Sequence, residues 1–261
     1  MLPTCDDLSE DLEAAAASIR AARRVAVLTG AGVSADSGVP TFRGHGGLWR
    51  DSRPEDLATP EAFARDPKLV WEWYDWRRQK IAAVEPNAGH IALAELEGML
   101  PRFTVITQNV DGLHEAAGSR NIVELHGCIW RVRCTAEGTI TGNRDVPLRE
   151  IPPHCGCGAL LRPDVVWFGE AMPSEAMAEA CQAAEMAQVM LVVGTSALVY
   201  PAAALPHLTS QQDGVIVEVN PEPTMLPDVT HIVLRGGGAE VLPQLVAAVD
   251  RAWADDADET Q

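Results

Sequence analysis

A parallel α/β sheet wound with helices on both faces, carrying a smaller lobe inserted between its elements, is the fold this sequence predicts. Three observations predict it. Six short apolar runs rich in Val and Ile recur at 25–29, 103–107, 122–125, 189–194, 215–219 and 231–234, as expected of strands buried on both faces. Helical patterns lie between them at 8–22, 87–99, 174–187 and 239–253, and that alternation means a parallel, doubly wound sheet. Two stretches break the alternation: 44–86, rich in Trp and charge, and 127–164, which holds Cys, Gly and Pro with little periodicity. They read as the insertions.

In chain order, the first strand Val25-Ala26-Val27-Leu28-Thr29 feeds directly into Gly30–Arg43, GAGVSADSGVPTFR. A β-branched run leading into a glycine turn that opens a helix can hold a pyrophosphate, because free N–H groups at the helix start face the anion. Gly30, Gly32 and Ala35 satisfy G-x-G-x-x-G/A, although a tight turn closing a strand satisfies it equally. The extension is more selective, since Ser34, Asp36, Ser37, Pro40, Thr41, Phe42 and Arg43 add hydroxyls, a carboxylate, an aromatic ring and a guanidinium. An ordinary dinucleotide fold spends these positions on an amphipathic helix and a second strand ending in the acidic residue that holds the adenosine ribose. Asp51 stands at about that distance, but within HGGLWRDSRPED, which is no strand. A dinucleotide is therefore expected, in a layout unlike a dehydrogenase's.

At 261 residues and 47% hydrophobic the chain can bury a full core. A formal charge of −17 argues against nucleic acid, which needs clustered Lys and Arg to displace counterions; a basic or neutral peptide is an easier partner. The acidic N-terminus has neither an apolar signal core nor an Arg-rich bias. No apolar run approaches the roughly 18 residues that cross a membrane. Six irregularly spaced cysteines do not suggest a disulfide scaffold, so a reducing, cytoplasmic setting is expected.

Ligands in such sheets sit beyond the carboxyl ends of the strands. Polar residues cluster there at four exits: Gln108-Asn109-Val110-Asp111-Gly112-Leu113-His114, His126-Gly127, Gly194-Thr195-Ser196 and Asn220-Pro221-Glu222. One Asn-x-Asp after a strand is usually a turn former, but four polar exits beside a glycine-rich turn point to a site.

GAGVSADSGVPTFR, TQNVDGLH, ELHG, LRPDVVWFGE, VVGTS and the Asn220 turn occur in the order in which sirtuins carry them. Over roughly residues 15–250 the chain resembles that family of NAD-dependent protein lysine deacylases. The resemblance implies one catalytic domain over 1–261, with a larger Rossmann-like lobe at about 15–43, 87–126 and 165–253 and a smaller lobe from 44–86 and 127–164. It also implies that NAD is consumed. Ala31, Gly32, Arg43, Thr195 and Ser196 would hold the pyrophosphate and adjoining riboses, while Asn220 and the backbone near Ala239 would border the adenosine. Gln108, Asn109 and Asp111 would line the nicotinamide pocket, and Phe42 would shield the anomeric carbon from water. Gly30, Ser34, Ala35, Asp36, Pro40, Thr41, Trp49, Gly194 and Glu222 complete the implied cofactor set.

By the same resemblance the acyl-lysine oxygen attacks the ribose carbon, nicotinamide leaves, and His126 takes the proton from a ribose hydroxyl that attacks the resulting alkylamidate. A histidine titrates near working pH, as that role requires. His114 belongs to the family's motif too, with a structural hydrogen-bonding role expected. The products would be free lysine, nicotinamide and O-acyl-ADP-ribose. The substrate peptide would add as a strand between Val165-Val166-Trp167-Phe168-Gly169-Glu170 and Ala197–Tyr200.

Trp71–Arg78, WEWYDWRR, is an aromatic helix in the inserted lobe, on which Tyr74 and Arg77 share a face. Spacing alone favours core aromatics with a solvated arginine. In the sirtuin branch that removes succinyl, malonyl and glutaryl groups, however, a Tyr-x-x-Arg pair here holds the acyl carboxylate, and a small residue like Ala58 leaves room for the chain. The resemblance therefore implies a desuccinylase or demalonylase with residual deacetylase activity. ADP-ribosyl transfer or plain NAD hydrolysis in the same pocket, and a non-catalytic NAD or ADP-ribose sensor, are the alternatives.

Sirtuins also carry two Cys-x-x-Cys pairs that close a structural zinc site in a zinc-ribbon-like module. Here Cys134 is followed by Glu137 where the second cysteine should stand, and Cys155-Gly156-Cys157 replaces the second pair. Cys134, Cys155 and Cys157 with Cys128, His154 or Glu137 could make four ligands; a degenerate, metal-free module is the other reading. Cys5 and Cys181 read as ordinary residues.

Overall fold

The computed structural model describes residues 5–41 and 54–258. Its strands are β1 Val25–Thr29, β2 Phe103–Thr107, β3 Ile122–Glu124, β4 Gly127–Cys134, β5 Ile140–Gly142, β6 Leu161–Val165, β7 Val189–Val193, β8 Val215–Val219 and β9 Ile232–Leu234. Six of them form one sheet in the order β3-β2-β1-β7-β8-β9, with every pairing parallel. The helices are α1 Cys5–Ala21, α2 Gly32–Ala35, α3 Pro54–Leu57, α4 Pro60–Arg65, α5 Pro67–Ala82, α6 Ala88–Met99, α7 Leu113–Ala116, α8 Ser174–Met186, α9 Leu205–Ser210 and α10 Gly238–Asp258.

The continuous apolar character of β1 follows from its position. Val25 and Val27 point into a core with Ile19, Leu93 and Leu245, from α1, α6 and α10. Ala26 and Leu28 point the other way, against Ala180, Ala184 and Leu205 of α8 and α9. A strand covered on both faces has no polar side to alternate with. Each fully buried Leu or Val here contributes about 1.5–3 kcal/mol relative to exposure.

Three predicted strand ends shorten. Gly194 leaves β7 because its φ is +58°, and Leu125 leaves β3 although its N–H still donates to the Thr107 carbonyl at 2.9 Å. His231 leaves the start of β9 although its N–H still donates to the Ile216 carbonyl at 2.9 Å.

From β1 the chain builds β2 and β3 to one side, then returns to build β7, β8 and β9 on the other. The order therefore reverses between β1 and β7, and a crevice opens beyond their carboxyl ends.

The stretch with little periodicity is a three-stranded antiparallel sheet, ordered β5-β4-β6. Its strands were hidden because Arg131 and Arg133 alternate toward Asp164, which is only 5% exposed and accepts from their guanidinium groups at 3.0 and 2.6 Å. The other inserted stretch supplies α3, α4 and α5, started by Thr59 and Asp66 side chains that cap Ala62 and Leu69 N–H groups. Trp71, Tyr74, Phe63, Ile129, Val132 and Trp167 share the core between them. Among the described residues no helix is long and apolar enough to cross a membrane.

Candidate active site

A cavity of about 430 Å³ occupies the crevice between the strand ends and the inserted segments. On the sheet side its wall is made of Gly30, Ala31, Gly32 and Thr41, then Gln108 and Asn109, then Gly194, Thr195 and Ser196, and finally Asn220.

The glycines let two turns interlock. A Cβ on Gly32 would stand 2.7 Å from Gly194 Cα, and one on Gly194 would stand 2.3 Å from Val33 N. The turns then tie to each other: Gly30 N–H donates to the Val193 carbonyl at 3.1 Å and Gly32 N–H to the Gly194 carbonyl at 2.8 Å. Gly32, expected to hold the pyrophosphate, thus has its N–H taken by the Gly194 carbonyl. Among the described residues, the N–H groups of Ala31, Thr195 and Ser196 are the ones left without a partner along these turns.

Behind this wall lies a buried polar cluster. Asn109 donates through Nδ2 to the Gly30 carbonyl at 3.0 Å and to Ser34 Oγ at 3.2 Å, which leaves its Oδ1 for a ligand. Ser34 Oγ donates to Asp111 Oδ2 at 2.8 Å, and Leu113 N–H donates to Asp111 Oδ1 at 2.9 Å. Asp111 therefore stands back from the cavity, its two oxygens engaged, and reaches the wall through Ser34 and Asn109. Gln108 Nε2 donates to Thr195 Oγ1 at 3.0 Å, bridging two exits.

The histidine tautomers follow from their partners. His90 Nδ1 accepts from Asn87 N–H at 3.3 Å in the capping box of α6, so its Nε2–H faces Ser34 Oγ at 3.3 Å. Thr29 Oγ1 donates to Thr107 Oγ1, so His114 Nε2 donates to Thr29 at 3.0 Å; its Nδ1 is buried without a partner among the described residues. Burial, then the nearby His90, pushes the His114 pKa down to about 3.

His126 lines the cavity. Its Nδ1 lies 2.9 Å from the Gln108 carbonyl. A carbonyl only accepts, so Nδ1 carries the proton and Nε2 keeps its lone pair. Burial holds the ring below the usual histidine pKa, against the opposing pull of that carbonyl; the ring is neutral at ordinary pH.

The inserted helical stretch and the chain where it leaves β6 form the opposite wall: Ala58, Trp73, Tyr74 and Arg77, then Val165, Trp167, Phe168 and Gly169. Arg77 is 6% exposed, not the solvated arginine that spacing favours. Its guanidinium carbon lies 4.8 Å from the Trp73 ring centre and 5.6 Å from that of Tyr74. Burial lowers its pKa, opposed by Tyr74 and by the charge of Asp111. Tyr74 is fixed in turn, its hydroxyl accepting from Trp167 Nε1 at 3.0 Å.

The expected extended edge at 165–170 is a strand end followed by a turn. Val166 N–H donates to the His126 carbonyl and Phe168 N–H to the Ala58 carbonyl, both at 2.9 Å. Trp167 N–H donates to Glu170 Oε2 at 2.8 Å, and Glu170 is clamped by Arg162 at 2.5 and 2.9 Å. Gly169 at φ +86° closes the turn, and its N–H has no partner among the described residues.

Other expected residues lie off the wall. Ala35 and Asp36 are exposed, and Pro40 is half-buried beside them. Glu222 accepts through its carbonyl from Asn220 Nδ2 at 2.7 Å, shaping the turn. Ala239, at the start of α10, abuts Gly89, where a Cβ would meet its nitrogen at 3.0 Å. Phe42, Arg43 and Trp49 lie outside the described residues. Trp73, Val110, Met172 and Pro201 also line the cavity. Trp73 is legible in the sequence as the neighbour of Tyr74; the others carry no local signal.

Of the alternatives for a fourth metal ligand, Glu137 is the one beside the thiols. One ligand atom each from Cys134, Glu137, Cys155 and Cys157 lies within 4.8 Å of the others, and the Cys134 and Cys157 sulfurs are 3.5 Å apart. Thiolates sharing a tetrahedral zinc at about 2.3 Å stand about 3.8 Å apart. The Glu137 N–H, 3.4 Å from Cys134 Sγ, holds that thiol below the usual cysteine pKa. These residues fit a structural zinc ion, which would clip the end of β4 to the 155–157 turn.

A Sir2 family profile matches residues 30–201. The "NAD-dependent protein deacylase 2" of Pyrobaculum aerophilum is 54% identical over 234 residues, 89% of this chain and 94% of that protein. The "NAD-dependent protein deacylase" of Aquifex aeolicus is 55% identical over 209 residues, 80% of this chain and 87% of that protein. A solved Sir2 homologue–NAD complex superposes with a TM-score of 0.87 at 48% identity, covering 92% of this chain and 94% of that one. A Sir2 protein bound to a myristoylated histone peptide superposes at 0.77 with 32% identity, covering 95% and 99%. Profile, relatives and fold agree: the chain belongs to the Sir2 family, the sirtuins.

Proposed function

We propose that the protein is an NAD-dependent protein lysine deacylase, acting as one catalytic domain, with a preference for acyl groups that end in a carboxylate. Relatives more than half identical over most of both chains are named NAD-dependent protein deacylases, which supports the general activity. NAD supplies the electrophilic ribose carbon and the hydroxyls that receive the acyl group. The Ala31, Thr195 and Ser196 N–H groups suit its pyrophosphate, and Asn109 Oδ1 with Gln108 suits the nicotinamide carboxamide. His126 would act as general base through Nε2, the nitrogen its Gln108 contact leaves unprotonated.

The acyl preference rests on one observation: an arginine, Arg77, only 6% exposed, in the cavity wall beside Tyr74 and small Ala58. A neutral acetyl group gives that charge nothing to bind, whereas a succinyl or malonyl carboxylate would form a charge-assisted hydrogen bond of about 1.5–3 kcal/mol. That corresponds to a roughly 10- to 100-fold preference. Mass spectrometry of NAD reactions with acetyl-, malonyl- and succinyl-lysine peptides tests it. Arg77→Met should lower desuccinylation by that factor and spare deacetylation; desuccinylation that survives while deacetylation falls overturns the assignment.

A further inference from the structure

We infer that Glu137 supplies the fourth ligand of the thiol cluster, so that the chain holds zinc through three thiolates and one carboxylate. The competing donors lie elsewhere. Cys128 is at the far end of β4, packed into the core shared by Trp71 and Ile129, where burial and then Glu124 push its thiol up to about 11. His154 turns its ring to Glu150, with Nδ1 at 3.1 Å from the carboxylate. Glu137 instead follows Cys134 on the turn that its own N–H closes onto the Cys134 sulfur.

The substitution changes what the site does. A carboxylate oxygen is a harder donor than a thiolate and a poorer match for zinc. Glu137 and Cys157 are also both exposed, while Cys134 is buried, so the carboxylate edge of the site meets solvent. The metal is thus bound more weakly and exchanged faster than by four thiolates, and the link between β4 and the 155–157 turn is releasable.

The test uses the full chain loaded with cobalt(II), whose thiolate charge-transfer absorption reports the number of sulfur ligands, and zinc competition against a chromophoric chelator. The wild-type chain and Glu137→Gln should show the same three-thiolate absorption, and Glu137→Cys should raise it by roughly a third, in the ratio of four sulfurs to three. Zinc affinity should fall at least about tenfold in Glu137→Ala and rise at least about tenfold in Glu137→Cys, with His154→Ala unchanged. Equal affinity in wild type and Glu137→Ala, a loss confined to His154→Ala, or no thiolate absorption with cobalt overturns the inference. Circular dichroism of each apo variant separates loss of a ligand from loss of the fold.

Discussion

The cavity has two walls built on opposite principles. The sheet side is made of backbone amides, hydroxyls and carboxamides at strand exits, and the turn glycines hold it at backbone contact distance. The inserted side is made of aromatic rings around one buried guanidinium, placed by a helix and by a turn clamped between Arg162 and Glu170. A wall of backbone donors recognises an anion whatever hangs from it, and its tolerances are those of the main chain. A wall of side chains can change its selectivity by one substitution. The division predicts that damage to the sheet side lowers activity on every substrate, whereas damage to the inserted side reorders substrates.

His126 stands where the walls meet, and its loss should have the largest effect. His126→Ala should lower deacylation of every acyl peptide by about 10²- to 10⁴-fold, with NAD affinity by calorimetry unchanged. Loss of NAD binding instead would make His126 part of the anion-binding wall and remove the distinction between binding and proton transfer.

The sequence was most legible where one physical demand governs many neighbouring residues. Burial on both faces wrote β1, β2, β7 and β8 as plain apolar runs, and the four exits stood out against them. It was least legible where polar residues are satisfied across long separations. Asp164 receives Arg131 and Arg133 from another strand, so β4 and β6 look irregular in isolation. Asp111 looks like a ligand-facing carboxylate until Ser34 and the Leu113 N–H are seen to occupy it. The burial of Arg77 depends on Trp73 and on segments far away in the chain, so spacing alone read it as solvated.

Gly194→Ala sharpens the contrast from the sheet side. Its φ of +58° and a Cβ position 2.3 Å from Val33 N leave no room for a methyl group. The two turns must separate, at a cost of about 3 kcal/mol, read as a lower urea midpoint. Acetyl and succinyl peptides should lose activity in equal proportion with a raised KM for NAD, where Arg77→Met affects one acyl class. Unequal losses would show that the inserted wall depends on the sheet wall.

The smallest effect tests the cluster behind the sheet wall. His114 has a folded pKa of about 3 and an unfolded value near 6.5. Its folded pKa is depressed, so its contribution is full above the unfolded value and is lost as pH falls from there toward the folded one. Between pH 7 and 6 the loss is about 0.7 kcal/mol, set almost wholly by the unfolded pKa because both pH values lie far above 3. Urea unfolding at the two pH values should therefore show wild-type stability falling more than that of His114→Gln by about that amount. His90 and His126, whose pKa values are also lowered by burial, contribute to both proteins and cancel in the difference. Equal slopes would mean that His114 takes up its proton as readily in the folded chain as in the unfolded one, which requires an acceptor at its Nδ1 and a polar cluster wetter than the burial of His114 implies.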